Sequence, residues 1–151
     1  MSWKYYNPNP RSNLVGDCVV RALSLALNQD WDDTYLGVTE KGYELKDMPS
    51  SNAIWSSYLK AQGFKAYIIP NECPDCYTVS DFCEDHPKGL FVLATGSHVV
   101  TCIDGDYHDT WDSGREVPIY YFTKETVSLN GLQQLHSTIL STAIHGSSNA
   151  G

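Results

Sequence analysis

The clearest hydrophobic pattern in the chain is the segment from residue 18 to residue 27, which contains neither glycine nor proline. Its apolar side chains cover most of the circumference of a helix rather than one stripe, as in a helix that is buried on nearly all sides. Asp17 precedes the segment and is a favourable N-cap residue, and Asn28 is a suitable stop. The pattern therefore predicts a buried central helix over residues 18–27.

Weaker patterns predict helices in the first half of the chain and strands in the second. Residues 1–13 are aromatic and then turn-rich, and within them Asn7-Pro8-Asn9-Pro10 cannot be helical. Helices are expected at 31–42, from 50 or 51 to 62, and as one or two turns at 79–85. Alternating or wholly apolar runs predict strands at 64–69, 90–94, 98–103, 107–111 and 117–122. This order indicates an α+β fold in which the central helix packs on an antiparallel sheet.

The composition fits one soluble domain followed by a tail. The 151 residues are 42% hydrophobic and 19% charged, and we expect a domain over residues 1–125. Residues 126–151 are a Ser/Thr-rich tail with room for one helix at 129–144. The formal net charge of −8 argues against partners such as nucleic acid or an anionic membrane, because both require basic patches. No apolar run is long enough to span a membrane, and no signal peptide is evident.

An odd number of cysteines, five, favours reduced thiols and a cytoplasmic location. Cys18 is the cysteine whose position points to chemistry, because it stands in the first turn of the predicted central helix. The positive end of the helix dipole lowers the pKa of a thiol there and favours the thiolate. The neighbouring Asp17 carboxylate opposes that effect, so a nucleophilic Cys18 needs an imidazolium partner.

His98 is the candidate partner, because it opens a predicted strand that returns through a hairpin at Asp104-Gly105. If the hairpin turn has two residues, His98 lies opposite Trp111 and diagonal to Asp109 on the same face. If the turn has three residues, Asp112 lies directly opposite His98 instead. The Asp-Gly pair favours the first register, so Asp109 is the preferred residue to orient His98 and Asp112 is the second choice. Trp111 is then expected to cover the His98–Asp109 contact and exclude water.

The chain resembles the papain-like cysteine peptidases in these motifs. Gly16-Asp17-Cys18 stands at the start of a buried helix, His98 opens a strand, and Asp109 is followed one residue later by Trp111. The same order, Cys, His and Asn or Asp, is found in that family, including small uncharacterised proteins of phages and gut bacteria. The resemblance covers roughly residues 7–115. It implies a papain-like fold and a thiol hydrolase that cleaves a peptide or isopeptide bond in a peptide or protein substrate, without a cofactor, in a bacterial or phage-infected cell.

One residue of the family pattern is absent. The family usually has a glutamine before the nucleophile, which donates to the oxyanion, but no glutamine precedes Cys18. Asn13 is the nearest amide and can supply an equivalent N–H donor beside the backbone N–H of Cys18. The short chain also argues against a deep cleft for large protein substrates.

Other interpretations of the same residues stay open. Cys18 and His98 can be ordinary core or strand residues, and Asn13 an ordinary turn amide. Arg21 on the central helix is expected to pair with an acid and to be structural. A papain-like cleft can also serve a binding protein without turnover, directed at a host factor or a small molecule, or an enzyme that transfers the acyl group to an amine.

A second cluster of cysteines has the spacing of a metal site. Cys73, Cys76, Cys83 and His86 form a C-x2-C-x6-C-x2-H pattern, which is chemically suited to structural zinc. Against it, Cys83 fits the buried side of the predicted helix at 79–85. The sequence therefore favours no metal, with zinc as the minority hypothesis. Cys102 alternates with Val100 in a predicted buried strand and is expected to be a core residue.

Overall fold

Helices precede most of the strands in the chain. The computed structural model describes residues 2–70 and 77–125. Within them the helices are α1 (Cys18–Leu27), α2 (Trp31–Leu45), α3 (Asn52–Ala61) and α4 (Val79–Asp85). The strands are β1 (Ser2–Tyr5), β2 (Lys65–Ile68), β3 (Leu90–Ala94), β4 (Val99–Ile103), β5 (Asp106–Asp109) and β6 (Tyr120–Thr123). The α+β prediction is confirmed, and α1 has the predicted bounds.

The strands form a mixed sheet in the order β1-β5-β4-β3-β6-β2. All the described pairings are antiparallel except that of β1 with β5, which is parallel. The prediction of an antiparallel sheet is therefore wrong at this edge, where the sequence pattern predicts no strand for residues 2–5. All four residues of β1 are exposed, so no alternation of buried and polar positions marks this strand in the sequence.

The hairpin between β4 and β5 has the two-residue turn that the sequence predicted. Ile103 pairs with Asp106 across it. Asp104 and Gly105 have φ values of 48° and 84°, and positive φ at both positions is the requirement of a type I′ turn. Strand β5 ends at Asp109, two residues earlier than predicted.

The core is divided between the two faces of the sheet. On one face, α1, α2 and α3 pack on side chains such as Val92 and Val99. On the other face, α4 packs on Leu93 and Val100, the next residues along the same strands, because successive side chains point to opposite faces. Helix α1 is buried against β4, where the Thr101 hydroxyl donates to the Ala22 carbonyl at 2.7 Å. The two layers together fix the position of the first turn of α1 over the sheet.

Helix α2 continues three residues beyond its predicted end at Gly42. This glycine is buried inside the helix, and a Cβ atom there would lie 2.7 Å from the carbonyl oxygen of Asp47. Gly42 is therefore required by the close approach of the returning chain and does not end the helix. The helix ends at Leu45, and its C-cap residue Lys46 has a left-handed φ of 60°.

Several predictions concern residues that the structure does not describe. The predicted tail at 126–151 and its predicted helix at 129–144 lie outside the described ranges, as do the residues Cys73 and Cys76.

The strand predicted at 117–122 begins at Tyr120, after Pro118, because proline has no N–H to donate to a neighbouring strand. In residues 2–70 and 77–125, none of the helices has the length and apolar character needed to cross a membrane.

Candidate active site

Cys18 is the first residue of α1, and its half-buried thiol lies beside His98. Burial is the largest influence on the thiol and raises its pKa. A hydrogen bond with His98, a hydrogen bond with the Val99 backbone and the nearby charges of His98 and Arg21 lower the pKa by more. The pKa of Cys18 therefore lies below its usual value, which favours the nucleophilic thiolate.

His98 is held between Cys18 and Asp109 immediately before β4. Its Nε2 atom lies 2.5 Å from Oδ2 of Asp109, so Nδ1 is the ring nitrogen left for Cys18. Burial is the largest influence and lowers the pKa of His98, but hydrogen bonds with Asp109 and Cys18 raise it to about 9. The backbone around His98 is fixed by Thr95, whose Oγ1 accepts the His98 N–H at 2.9 Å and whose N–H donates to the His98 carbonyl at 2.8 Å.

Asp109 is 2% exposed, and both of its carboxylate oxygens accept hydrogen bonds. Besides His98, Oδ2 accepts the Ser113 hydroxyl at 2.7 Å. Oδ1 accepts Arg21 Nη2 at 3.0 Å and the Thr110 N–H at 2.8 Å. Burial, the largest influence, raises the pKa of Asp109, but the bonds from His98 and Ser113 and the His98 charge lower it below its usual value. The carboxylate is thus stabilised in its ionised form.

Arg21 connects this carboxylate to a second buried acid. Its side chain is 7% exposed and forms ion pairs with Asp17, four residues earlier on the chain, and with Asp109 on the sheet. The other oxygen of Asp17 accepts the indole N–H of Trp31 at 2.9 Å. Asp17 occupies the N-cap position of α1, but its side chain makes no capping hydrogen bond because both of its oxygens are engaged here.

The pairing of Arg21 with one acid was predicted, but the link to Asp109 was not. The only local sign of these ion pairs in the sequence was the spacing of Asp17 and Arg21, which lie four residues apart at the start of a largely apolar helix. Ser113 and Thr95 were also missed, because no local pattern shows that a hydroxyl four residues after Asp109, or three before His98, turns toward it.

Trp111 contacts His98, whereas Asp112 is bonded to other residues. The Trp111 ring lies against the His98 ring, with centroids 5.0 Å apart and an angle of 46° between the planes, and Trp111 is 43% exposed. Asp112 contacts the hydroxyl of Tyr107 at 2.5 Å and the Gly114 N–H at 3.1 Å. The three-residue turn on which the choice of Asp112 as orienting residue depended is not formed, so that second choice is wrong in its register.

Asn13 lies in the exposed loop before α1. Its backbone carbonyl accepts the side-chain N–H of Asn7 at 3.3 Å. Within the described ranges, the hydrogen bonds around Cys18 and His98 do not include the Asn13 side chain. The backbone N–H of Cys18 belongs to the first turn of α1, where N–H groups have no partner inside the helix.

The described members of the predicted zinc cluster have other partners. Cys83 is fully buried and is hydrogen-bonded to Cys102, and this bond and burial raise the pKa of Cys83. His86 Nδ1 lies 2.7 Å from the Phe82 carbonyl, and its ring stacks on Phe82. No group of three metal-ligating side chains occurs in the parts of the chain that the structure describes. Cys102 is a core residue, as predicted.

Comparison of the chain with family models, with curated proteins and with solved structures yields no match. The chain is therefore characterised only by the features of its own fold and candidate site. These are an α+β domain with a cysteine at the start of a buried helix, next to a histidine that is bonded to a buried aspartate.

Proposed function

We propose that this chain is a thiol hydrolase of the cysteine peptidase type with a papain-like arrangement of Cys18, His98 and Asp109. The observation that carries the proposal is the continuous set of contacts from the thiol to the imidazole and from the imidazole to a buried, ionised carboxylate. Three ionisable groups in this order provide an activated nucleophile, a proton carrier and a group that orients the carrier.

The reaction proceeds through an acyl-enzyme. The Cys18 thiolate attacks the carbonyl carbon of a peptide or isopeptide bond, and the protonated His98 gives its proton to the leaving amine as the carbon–nitrogen bond breaks. Neutral His98 then removes a proton from water, and the hydroxide attacks the thioester to release the acid and the thiolate. Asp109 remains ionised throughout and holds the ring of His98.

Stabilisation of the oxyanion requires N–H donors near the Cys18 sulfur. The backbone N–H of Cys18 at the start of α1 is one donor. We assign the second to Asn13, whose exposed loop leads directly into α1 and leaves the amide side chain free to turn toward a bound substrate. Trp111 lies against His98 and limits the access of water to the bond between His98 and Asp109.

Alkylation with iodoacetamide tests the proposed nucleophile. The Cys18 sulfur attacks the methylene carbon and iodide leaves, and only the thiolate reacts at an appreciable rate. Near neutral pH we expect Cys18 to react at least about tenfold faster than Cys73 and Cys76, and this advantage to be lost in the His98→Ala variant. Peptide mapping of the modified protein measures the rate of alkylation at each of these cysteines. Equal rates at the three cysteines would exclude the hydrolase.

One observation favours a binding protein without turnover as a second candidate. The described hydrogen bonds of the site contain no side-chain amide, so the oxyanion would have the Cys18 N–H alone if Asn13 does not move. Incubation with a mixed peptide library distinguishes the two candidates. Catalytic release of new amino termini, lost in Cys18→Ala at an unchanged melting temperature, supports the hydrolase. Binding of peptides without such release supports the second candidate.

A further inference from the structure

A cavity of about 310 Å³ lies beside the first turn of α1. Its walls come from the loop before α1, from one side of α1, from α2 and from the segment between α2 and α3. This volume is at the small end of the range for ligand pockets and suits one side chain rather than a folded segment. None of the contacts between Cys18, His98 and Asp109 uses the cavity, so it is a separate feature of the molecule.

The cavity reaches the chain directly before the candidate nucleophile. Gly16 and Asp17, the two residues that precede Cys18, are part of its lining. A Cβ atom placed on Gly16 would have nothing within 4 Å, so the space over this backbone is open. Cys18 itself is not part of the lining, but it follows this backbone directly, so a substrate bound at the Cys18 sulfur can extend along Gly16 and Asp17. A side chain next to that carbonyl can therefore enter the cavity.

The lining is apolar and carries no unpaired charge. On α2 the lining includes Val38 and the stacked pair of Trp31 and Tyr35, with ring centroids 4.9 Å apart, and on α1 it includes Val19. Among the residues that the structure describes, Asp17 is the one acid in the lining, and its oxygens already accept hydrogen bonds from Arg21 and from the indole N–H of Trp31. The described lining therefore has no free ionic partner for a lysine, an arginine or an acidic side chain, and desolvating such a charge would be costly.

We infer that this cavity binds a large apolar side chain, aromatic or branched aliphatic, of the substrate residue that provides the attacked carbonyl. The inference rests on the proposed function, because it takes Cys18 as the nucleophile. It narrows the expected substrate, since the net charge of −8 alone would favour basic or neutral segments. Half-exposed Tyr35 and Val15 form the rim, where an entering side chain replaces their contact with water.

Two chloromethyl ketone labels test the subsite separately from the nucleophile. In N-acetyl-phenylalanyl and N-acetyl-glycyl chloromethyl ketone, the thiolate attacks the methylene carbon and chloride leaves, so the labels differ only in the side chain offered to the cavity. Iodoacetamide, which offers no side chain, is the reference for thiol reactivity. The rate of labelling at Cys18 is measured by mass spectrometry. We expect the phenylalanyl label to react at least about tenfold faster than the glycyl label.

Variants on α2 show whether the preference comes from the cavity. Tyr35→Ala removes part of the wall and should reduce the ratio of phenylalanyl to glycyl rates several-fold; using the ratio cancels any general change in thiol reactivity. Tyr43→Ala is the matched control, because Tyr43 is an exposed tyrosine of the same helix outside this cavity, and it should leave the ratio unchanged. Ser50 is an exposed lining residue in the segment between α2 and α3, and Ser50→Phe, which adds bulk there, should also reduce the ratio.

The outcomes separate the two proposals. A fast reaction with iodoacetamide combined with equal rates for the two ketones, or with a ratio that neither Tyr35→Ala nor Ser50→Phe changes, overturns the subsite and leaves the hydrolase intact. A Cys18 that reacts with iodoacetamide no faster than Cys73 and Cys76 overturns the hydrolase, and the subsite with it.

Discussion

At the scale of single residues, the site depends on which groups share a carboxylate. Asp109 accepts hydrogen bonds from His98 and Ser113 on one oxygen and from Arg21 and the Thr110 N–H on the other. A carboxylate with four donors is fixed in position and remains ionised to low pH. Its negative charge keeps His98 protonated, and protonated His98 in turn favours the thiolate of Cys18.

The raised pKa of His98 makes stability depend on pH. A histidine whose pKa rises from 6.5 to about 9 on folding stabilises the folded state while it is protonated. We expect this contribution, at most about 3 kcal/mol, to be complete below about pH 6.5 and lost as the pH rises to about 9. Urea unfolding across this range measures it in the wild type and in a Cys18→Ser background. The variant removes the titration of the thiol together with its part in raising the pKa of His98, so its loss of stability should end below pH 9.

The matched variant for this prediction is Asp109→Asn in the same background. An amide cannot stabilise the imidazolium as a carboxylate does, so the loss of stability with rising pH should become smaller. An equally steep loss in the variant would show that the charge of Asp109 does not control the protonation of His98.

At the scale of elements, local patterns predicted those whose residues are buried in a regular way. Asp17 and Asn28 on either side of the apolar run marked both ends of α1, and the Asp104-Gly105 pair predicted the register that puts His98 near Asp109. Strand β1 could not be found in this way because its residues are all exposed. It nevertheless reaches the site, because the indole N–H of Trp3 donates to the Asp109 carbonyl at 3.1 Å.

Helix α2 shows how a local rule fails when a tertiary contact decides. Glycine commonly ends a helix, and Gly42 was interpreted as a stop on that ground. Its function in the structure is to leave room for the carbonyl of Asp47. Only the path of the chain after the helix reveals this contact, so no pattern within α2 could have predicted it.

The substitution Gly42→Ala tests this explanation. Alanine favours a helix over glycine by about 1 kcal/mol, so a helix without the contact would become more stable. We expect instead a loss of about 1 kcal/mol or more, because the added Cβ would lie 2.7 Å from a backbone oxygen. Urea unfolding measures the change. Glu40→Ala, at an exposed position of the same helix, is the control and should change stability by about 0.5 kcal/mol or less. A stabilised Gly42→Ala protein would contradict the explanation.

At the scale of the whole molecule, a buried charge network joins the helical layer to the sheet. Arg21 on α1 pairs with Asp109 at the end of β5, and Asp17 extends the network to Trp31 on α2. This network is the part of the site that the sequence could not predict, because Arg21 and Asp109 lie 88 positions apart. The three proposed catalytic residues could be selected from the sequence, whereas the pairing of Arg21 with Asp109, which joins the helical layer to the sheet, appears only in the folded chain.

Replacement of Arg21 by methionine tests how much this network contributes to the free energy of unfolding. The variant keeps a long side chain but leaves Asp17 and Asp109 buried without their shared cation, which we expect to cost about 3 kcal/mol or more. Lys41→Met removes the cation of a more exposed ion pair, with Glu44, and should cost about 0.5 kcal/mol or less. Urea unfolding compares the two. A similar small loss in both variants would show that the network contributes little.

The large sequence separation within the network also has a consequence in time. During synthesis, Cys18 leaves the ribosome long before His98 and Asp109 are added, so the nascent chain carries an ordinary cysteine. Under the proposed function, the thiol becomes reactive only when the later strands join the sheet and bring His98 to the start of α1. Under the proposed function, an unfinished or truncated chain would therefore be unable to cleave the polypeptides around it.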